Sequence, residues 1–133
     1  MKSIKIIIIS ILAFFLQGCP GEPEPAIVNQ FDLINSSSED IYIYSRNSSD
    51  AVLVGLGAEQ PKTPTQKGEK WSYPLSERLF NDGSKLWILV FKKSTLETKT
   101  WQEIKDQGLY DKRYSFTLEE LKAINFQITY DGN

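Results

Sequence analysis

Apolar residues along the chain fall into three patterns. The first is a block, Ile6 to Leu16, interrupted only by Ser10 and preceded by Lys2 and Lys5. The second is alternation. Phe31 and Leu33 share a face within 29–35. Ile41 and Ile43 lie opposite Tyr42 and Tyr44. Trp71 and Tyr73 share a face, and Phe126, Ile128 and Tyr130 repeat every second position. Period-two alternation rich in β-branched and aromatic residues predicts half-buried strands. The third pattern is Leu86–Phe91, apolar at every position, which predicts a central strand covered on both faces. A further strand is expected over Ala51–Leu56, and a short one around Tyr114 and Phe116.

Helical signals are fewer and lie late. Thr100-Trp101-Gln102-Glu103 and Thr117-Leu118-Glu119-Glu120 each place a threonine three residues ahead of a glutamate, the capping-box spacing. Gly108 stops the first predicted helix, which presents Trp101 and Ile104. The second presents Leu118, Leu121 and Ile124 and ends near Asn125. Ser76 caps one turn up to Phe80, and Asn81-Asp82-Gly83-Ser84 is a turn. Residues 29–35 and 41–44, joined by Asn35–Asp40, read as an antiparallel hairpin. The fold class is thus mainly β, an antiparallel sandwich-like domain with two short C-terminal helices. The alternative is an α+β sheet with helices on one face.

The apolar block changes the picture of where this domain lives. Its eleven residues are fewer than the roughly 20 of a membrane-spanning helix. With two lysines before it, it fits a signal-peptide h-region. Leu16-Gln17-Gly18-Cys19 then looks like a bacterial lipobox, whose cysteine is thioether-linked to diacylglycerol and becomes the new N-terminus. Cys19 is the only cysteine in the chain. The competing reading is an ordinary signal peptide with a chance cysteine. Two acyl chains suffice for stable attachment where one is marginal. Pro20, in place of an aspartate, favours the outer membrane over retention in the inner one. The organisation is a removed signal over 1–18, lipidated Cys19 and a Pro/Glu linker over 19–25, and one domain over 26–133.

Charge and composition exclude several chemistries. Removing the first 18 residues leaves 115 and takes away Lys2 and Lys5, so the formal charge goes from −2 to −4. The basic residues are scattered, which argues against nucleic acid as a partner. No histidine occurs, and the one cysteine is spoken for by lipid. That removes Ser-His-Asp, Cys-His and His-based zinc chemistry, and disulfides. No cofactor or metal is expected. Asn81–Ser84 and Asp131–Asn133 carry turn oxygens without calcium-loop spacing.

Carboxylates are the remaining acid/base material. Adjacent Glu119 and Glu120 diverge by about 100° on a helix, and Glu120 and Glu103 are accounted for as cap partners. No catalytic residue is assigned. Aromatic side chains are the other candidates. The pairs Trp71/Tyr73 and Tyr42/Tyr44 could form a surface for a protein or a glycan, since flat rings give large contact at low entropy cost. They could equally pack under loops or between sheets.

The segment from Lys85 onward resembles a group of small bacterial lipoproteins to which no activity is assigned. The resemblance rests on Leu86–Phe91, Thr95-Leu96-Glu97, Trp101-Gln102-Glu103-Ile104, Tyr114, Thr117-Leu118-Glu119-Glu120-Leu121, Asn125 and Ile128-Thr129-Tyr130, together with the lipobox. It implies kinship and lipidation at Cys19, but no site. The expected function is a membrane-anchored, non-catalytic binding module of the cell envelope. The alternatives are a carboxylate-dependent hydrolase of envelope polymers and a structural or inhibitory accessory subunit.

Overall fold

The computed structural model describes residues 29–49 and 56–133. Seven strands form in chain order: β1 (Asn29–Asn35), β2 (Ile41–Ser48), β3 (Pro64–Thr65), β4 (Lys70–Leu75), β5 (Lys85–Lys92), β6 (Lys112–Phe116) and β7 (Gln127–Tyr130). Three α-helices lie among the last three strands: α1 (Lys93–Thr98), α2 (Trp101–Gln107) and α3 (Leu118–Ala123). One sheet has the order β4-β1-β7 and the other β3-β2-β5-β6. The domain is mainly β, a two-sheet sandwich with helices added on one side and at one end.

The sequence of β5 explains its place. Leu86, Trp87, Ile88, Leu89, Val90 and Phe91 are all buried, and the strand is flanked by β2 and β6. Leu86, Ile88 and Val90 face inward and join Phe31, Leu33, Ile41, Leu75, Leu121 and Tyr130 in the main core. The Phe31 and Phe116 rings, 5.8 Å apart, tie the two sheets together. Leu89 and Phe91 face the other way and join Ile104 in a second, thinner core, roofed by Leu96, Trp101 and Leu109.

The expected hairpin of 29–35 with 41–44 does not form. β1 pairs with β4 and β7, whereas β2 pairs with β3 and β5, so the Asn35–Asp40 connection carries the chain from one sheet to the other. Asn35, fully buried, is the reason. Its Nδ2 donates to the Glu39 and Thr65 carbonyls, each at 2.9 Å. Its Oδ1 accepts from Ser37 N at 3.0 Å and Ser37 Oγ at 2.6 Å. An amide with both donors and both lone pairs engaged winds the connection around itself instead of letting it close as a tight turn. The pairing is not wholly antiparallel either: β7 lies parallel to β1. The β6-α3-β7 connection brings it there.

Both predicted capping boxes form. Thr100 accepts from Glu103 N at 3.1 Å while Glu103 accepts from Thr100 N at 2.8 Å. Thr117 and Glu120 repeat this at 3.2 and 2.8 Å. Gly108 ends α2 with φ 61°. Beyond α3, both Asn125 (φ 55°) and Phe126 (φ 57°) are left-handed. That is unusual for a phenylalanine. Its ring packs against the main core, and its N–H returns to Leu121 O at 2.9 Å.

α1 is a third helix where two were expected. Lys92, at its N-cap, supplies no side-chain bond. The missing acceptors come from elsewhere: Glu39 accepts from Ser94 N at 2.9 Å and Ser94 Oγ at 3.0 Å, and Asp111 accepts from Lys92 N at 2.7 Å and Thr95 Oγ1 at 3.0 Å. The strand expected over Ala51–Leu56 lies outside the described residues, apart from Leu56, which is not in a strand.

Candidate functional site

The two aromatic pairs come to rest in different cores. β1 and β4 are in register so that Leu33 faces Trp71 and Phe31 faces Tyr73. Both β4 aromatics therefore project from the inward face. β4 is an edge strand, however, so they sit at the rim of the main core and stay half-buried. Their rings are stacked, with centroids 5.7 Å apart and planes 22° from parallel. The Phe31 ring meets Trp71 edge-on at 6.4 Å. The Tyr73 hydroxyl donates to Asn47 Oδ1 across the sandwich at 3.4 Å, while the buried Asn47 Nδ2 has no partner.

Tyr42 and Tyr44 point to the opposite face of their sheet, where they pack against the second core with Leu56 and Trp101. The Trp101 indole N–H donates to Gly57 O at 3.1 Å and holds that segment over Tyr44. The structure thus brings Trp71 together with Tyr73, and Tyr42 together with Tyr44. It does not bring the two pairs into one surface. Tyr42 and Tyr44 are half-buried beneath Trp101 and Leu56, as Trp71 and Tyr73 are half-buried at the rim.

Among the described residues no strand pairs with the outer edge of β4, and its backbone is guarded. Odd positions of β4 face β1 with their backbone N–H and C=O groups, so Lys70, Ser72 and Pro74 present theirs outward. Pro74 has no N–H to offer a new strand, and a lysine at an edge discourages pairing. What β4 leaves at the surface is the rim of the Trp71–Tyr73 stack.

Several of the described carboxylates are occupied by folding tasks. Asp32, on the outer face of the β4-β1-β7 sheet, accepts from Ser72 Oγ at 2.6 Å, Gln30 Nε2 at 2.8 Å and Lys70 Nζ at 3.1 Å. The Ser72 bond is the main reason its pKa is lowered, followed by Gln30. Asp82 accepts from the backbone and hydroxyl of Ser84, which lowers it in the same way and makes Asn81–Ser84 a plain turn. Glu103 is lowered by its bond from the Thr100 backbone. Glu119 lies exposed beside Lys122 at 3.4 Å. Among the described residues, no group of three or more acidic, cysteine or histidine side chains is placed to hold a metal ion. Likewise, no described helix is long and apolar enough to cross a membrane.

Compared with known proteins, the chain matches no family model, no curated protein and no solved structure.

Two features were missed in the sequence. Arg113 lies over both the buried Trp87 ring, at 5.9 Å, and the Tyr110 ring, at 5.7 Å. Tyr110, 40% exposed, is the large hydrophobic residue most open to solvent among those described. Cross-strand neighbours of this kind become visible only once the β5–β6 register is known. The second feature is Tyr130, 1% exposed, whose hydroxyl has no partner. Burial and then the Asp111 charge push its pKa up to about 12. Cys19 lies outside the described residues.

Proposed function

We propose that this chain is a cell-envelope lipoprotein, anchored through lipid on Cys19 and favouring the outer membrane, whose domain is a non-catalytic binding or interaction module. One observation carries the reading: the chain's lone cysteine stands at the end of Leu16-Gln17-Gly18-Cys19, directly after a short apolar block with a lysine-bearing start. Resemblance of the segment from Lys85 onward to small lipoproteins points the same way. The non-catalytic part is supported by the carboxylates, since Glu39, Glu103, Asp111 and Glu120 each accept bonds that fix a helix start. The contact surface we assign is the rim formed by Trp71 and Tyr73, where aromatic area is held on a rigid strand next to Asn47.

The test is binding of the soluble domain, residues 20–133, to envelope glycans and envelope proteins, with Trp71→Ala/Tyr73→Ala alongside. Loss of binding in a variant that still melts cooperatively supports the reading. Full binding by that variant moves the surface elsewhere. Cleavage of envelope polymers that requires Glu119 or Glu120 would replace the module with a hydrolase.

A further inference from the structure

The sandwich has two distinct poles. At one lie the start of β1, the end of β4, the end of β2 and the start of β5, because Asn29 pairs with Leu75 and Ser48 with Lys85. The turn Glu77–Phe80 belongs to this pole. At the other lie the Asn35–Asp40 arch, the Gln66–Glu69 turn, the end of β7 and the start of α1, because Asn35 pairs with Tyr130 and Ile41 with Lys92. Strands of eight residues separate the poles by roughly 26 Å.

We infer that the Asn29 pole faces the lipid surface and the arch pole faces away from it. This rests on the lipid anchor proposed above. Ten residues lead from Cys19 to Asn29. Their full contour is at most about 35 Å. A proline-rich chain of that length, extended at about 3.1 Å per residue, reaches about 31 Å. With the Asn29 pole down, any span within that reach satisfies the tether. With the arch pole down, Asn29 is lifted by the whole height of the sandwich. The tether must then double back along its flank at about three-quarters of its contour. It must also reverse direction to enter β1, which a semi-rigid, proline-bearing linker disfavours.

The Asn29 pole is polar at its surface, with Glu77, Arg78 and Asn81–Gly83 exposed, so it meets the headgroup layer without inserting. The arch pole is the one presented to the space beyond the membrane. Its shape is fixed by the buried Asn35 amide and by Ser36 N, which donates to Tyr130 O at 2.9 Å.

The experiment uses the full lipidated chain in phospholipid vesicles carrying an energy-acceptor dye on their headgroups. Cys19 is blocked by its thioether, so a second cysteine takes a donor dye uniquely. Glu77→Cys marks one pole and Lys67→Cys the other; both positions are exposed. Energy transfer from position 77 should exceed that from position 67 several-fold. Equal or reversed transfer, in protein that floats with the vesicles, overturns the orientation and leaves the anchor standing. Failure of the unlabelled full chain to float overturns the anchor, and the orientation with it.

Discussion

β5 divides the domain into two cores that differ in how they are closed. On its inner side, Leu86, Ile88 and Val90 meet a second sheet, and nine buried residues from both sheets and α3 make a continuous interior. On its outer side, Leu89 and Phe91 meet two short helices, with Ile104 as their one buried side chain there. The outer core relies on half-buried aromatics, Tyr42, Tyr44 and Trp101, and on a single indole bond to Gly57. Trp71 and Tyr73 have the same aromatic–x–aromatic spacing as Tyr42 and Tyr44, yet they belong to the rim of the inner core. Spacing tells which side chains share a face. Only the sheet assignment tells what that face meets.

Hollowing each core in turn should separate the two by their cost in stability. Leu121→Ala removes a fully buried side chain from the inner core and should cost about 2–5 kcal/mol in a denaturant melt. Trp101→Ala removes an indole that is only partly buried, together with its bond to Gly57, so its cost should stay below about 3 kcal/mol. A larger loss for Trp101→Ala than for Leu121→Ala would mean that the helix layer, not the sandwich, dominates stability. Thr117→Ala tests how α3 is held at the end of the inner core. It deletes one side of a capping box and should cost about 1 kcal/mol.

The smallest effect is the most specific. Tyr130 buries its ring in the inner core but leaves its hydroxyl without a partner. Tyr130→Phe should therefore change stability at neutral pH by no more than about 1 kcal/mol, and in the stabilising direction, because an unpaired buried hydroxyl is removed. Its pH dependence follows from the raised pKa. The folded state holds the phenol neutral up to about 12, against an ordinary value of 10.0. This stabilisation is complete below pH 10 and is lost as pH climbs towards 12. Melts of the wild type should weaken across that window, and Tyr130→Phe should weaken less. Identical alkaline profiles would place the hydroxyl in water.

Much of the outer shape was legible in the sequence, for local reasons. Leu86–Phe91 declared a strand buried on two faces. Thr100/Glu103 and Thr117/Glu120 declared helix starts, since a capping box is written within four residues. What stayed hidden depends on groups distant in the chain. The start of α1 is capped by Glu39 and Asp111, which are 55 and 16 residues from their hydroxyl partners, Ser94 and Thr95. The expected hairpin failed for the same reason: half of the Asn35 amide's donors go to Thr65, thirty residues on. The candidate site was half legible. Alternation placed Trp71 beside Tyr73, but their edge position, the stack and Asn47 opposite came from the pairing of β4 with β1 and of β2 with β5.

The proposed lipid anchor at Cys19 is the point on which function and orientation both depend. The direct measurement is metabolic labelling with a fatty acid in a bacterial host, followed by fractionation and intact-mass analysis of the wild type and Cys19→Ser. The expected outcome is a labelled wild-type protein in the membrane fraction, starting at Cys19 and carrying acyl mass, and an unlabelled, unprocessed Cys19→Ser protein. Equal label on both proteins, or a wild type with an unmodified cysteine, would contradict it.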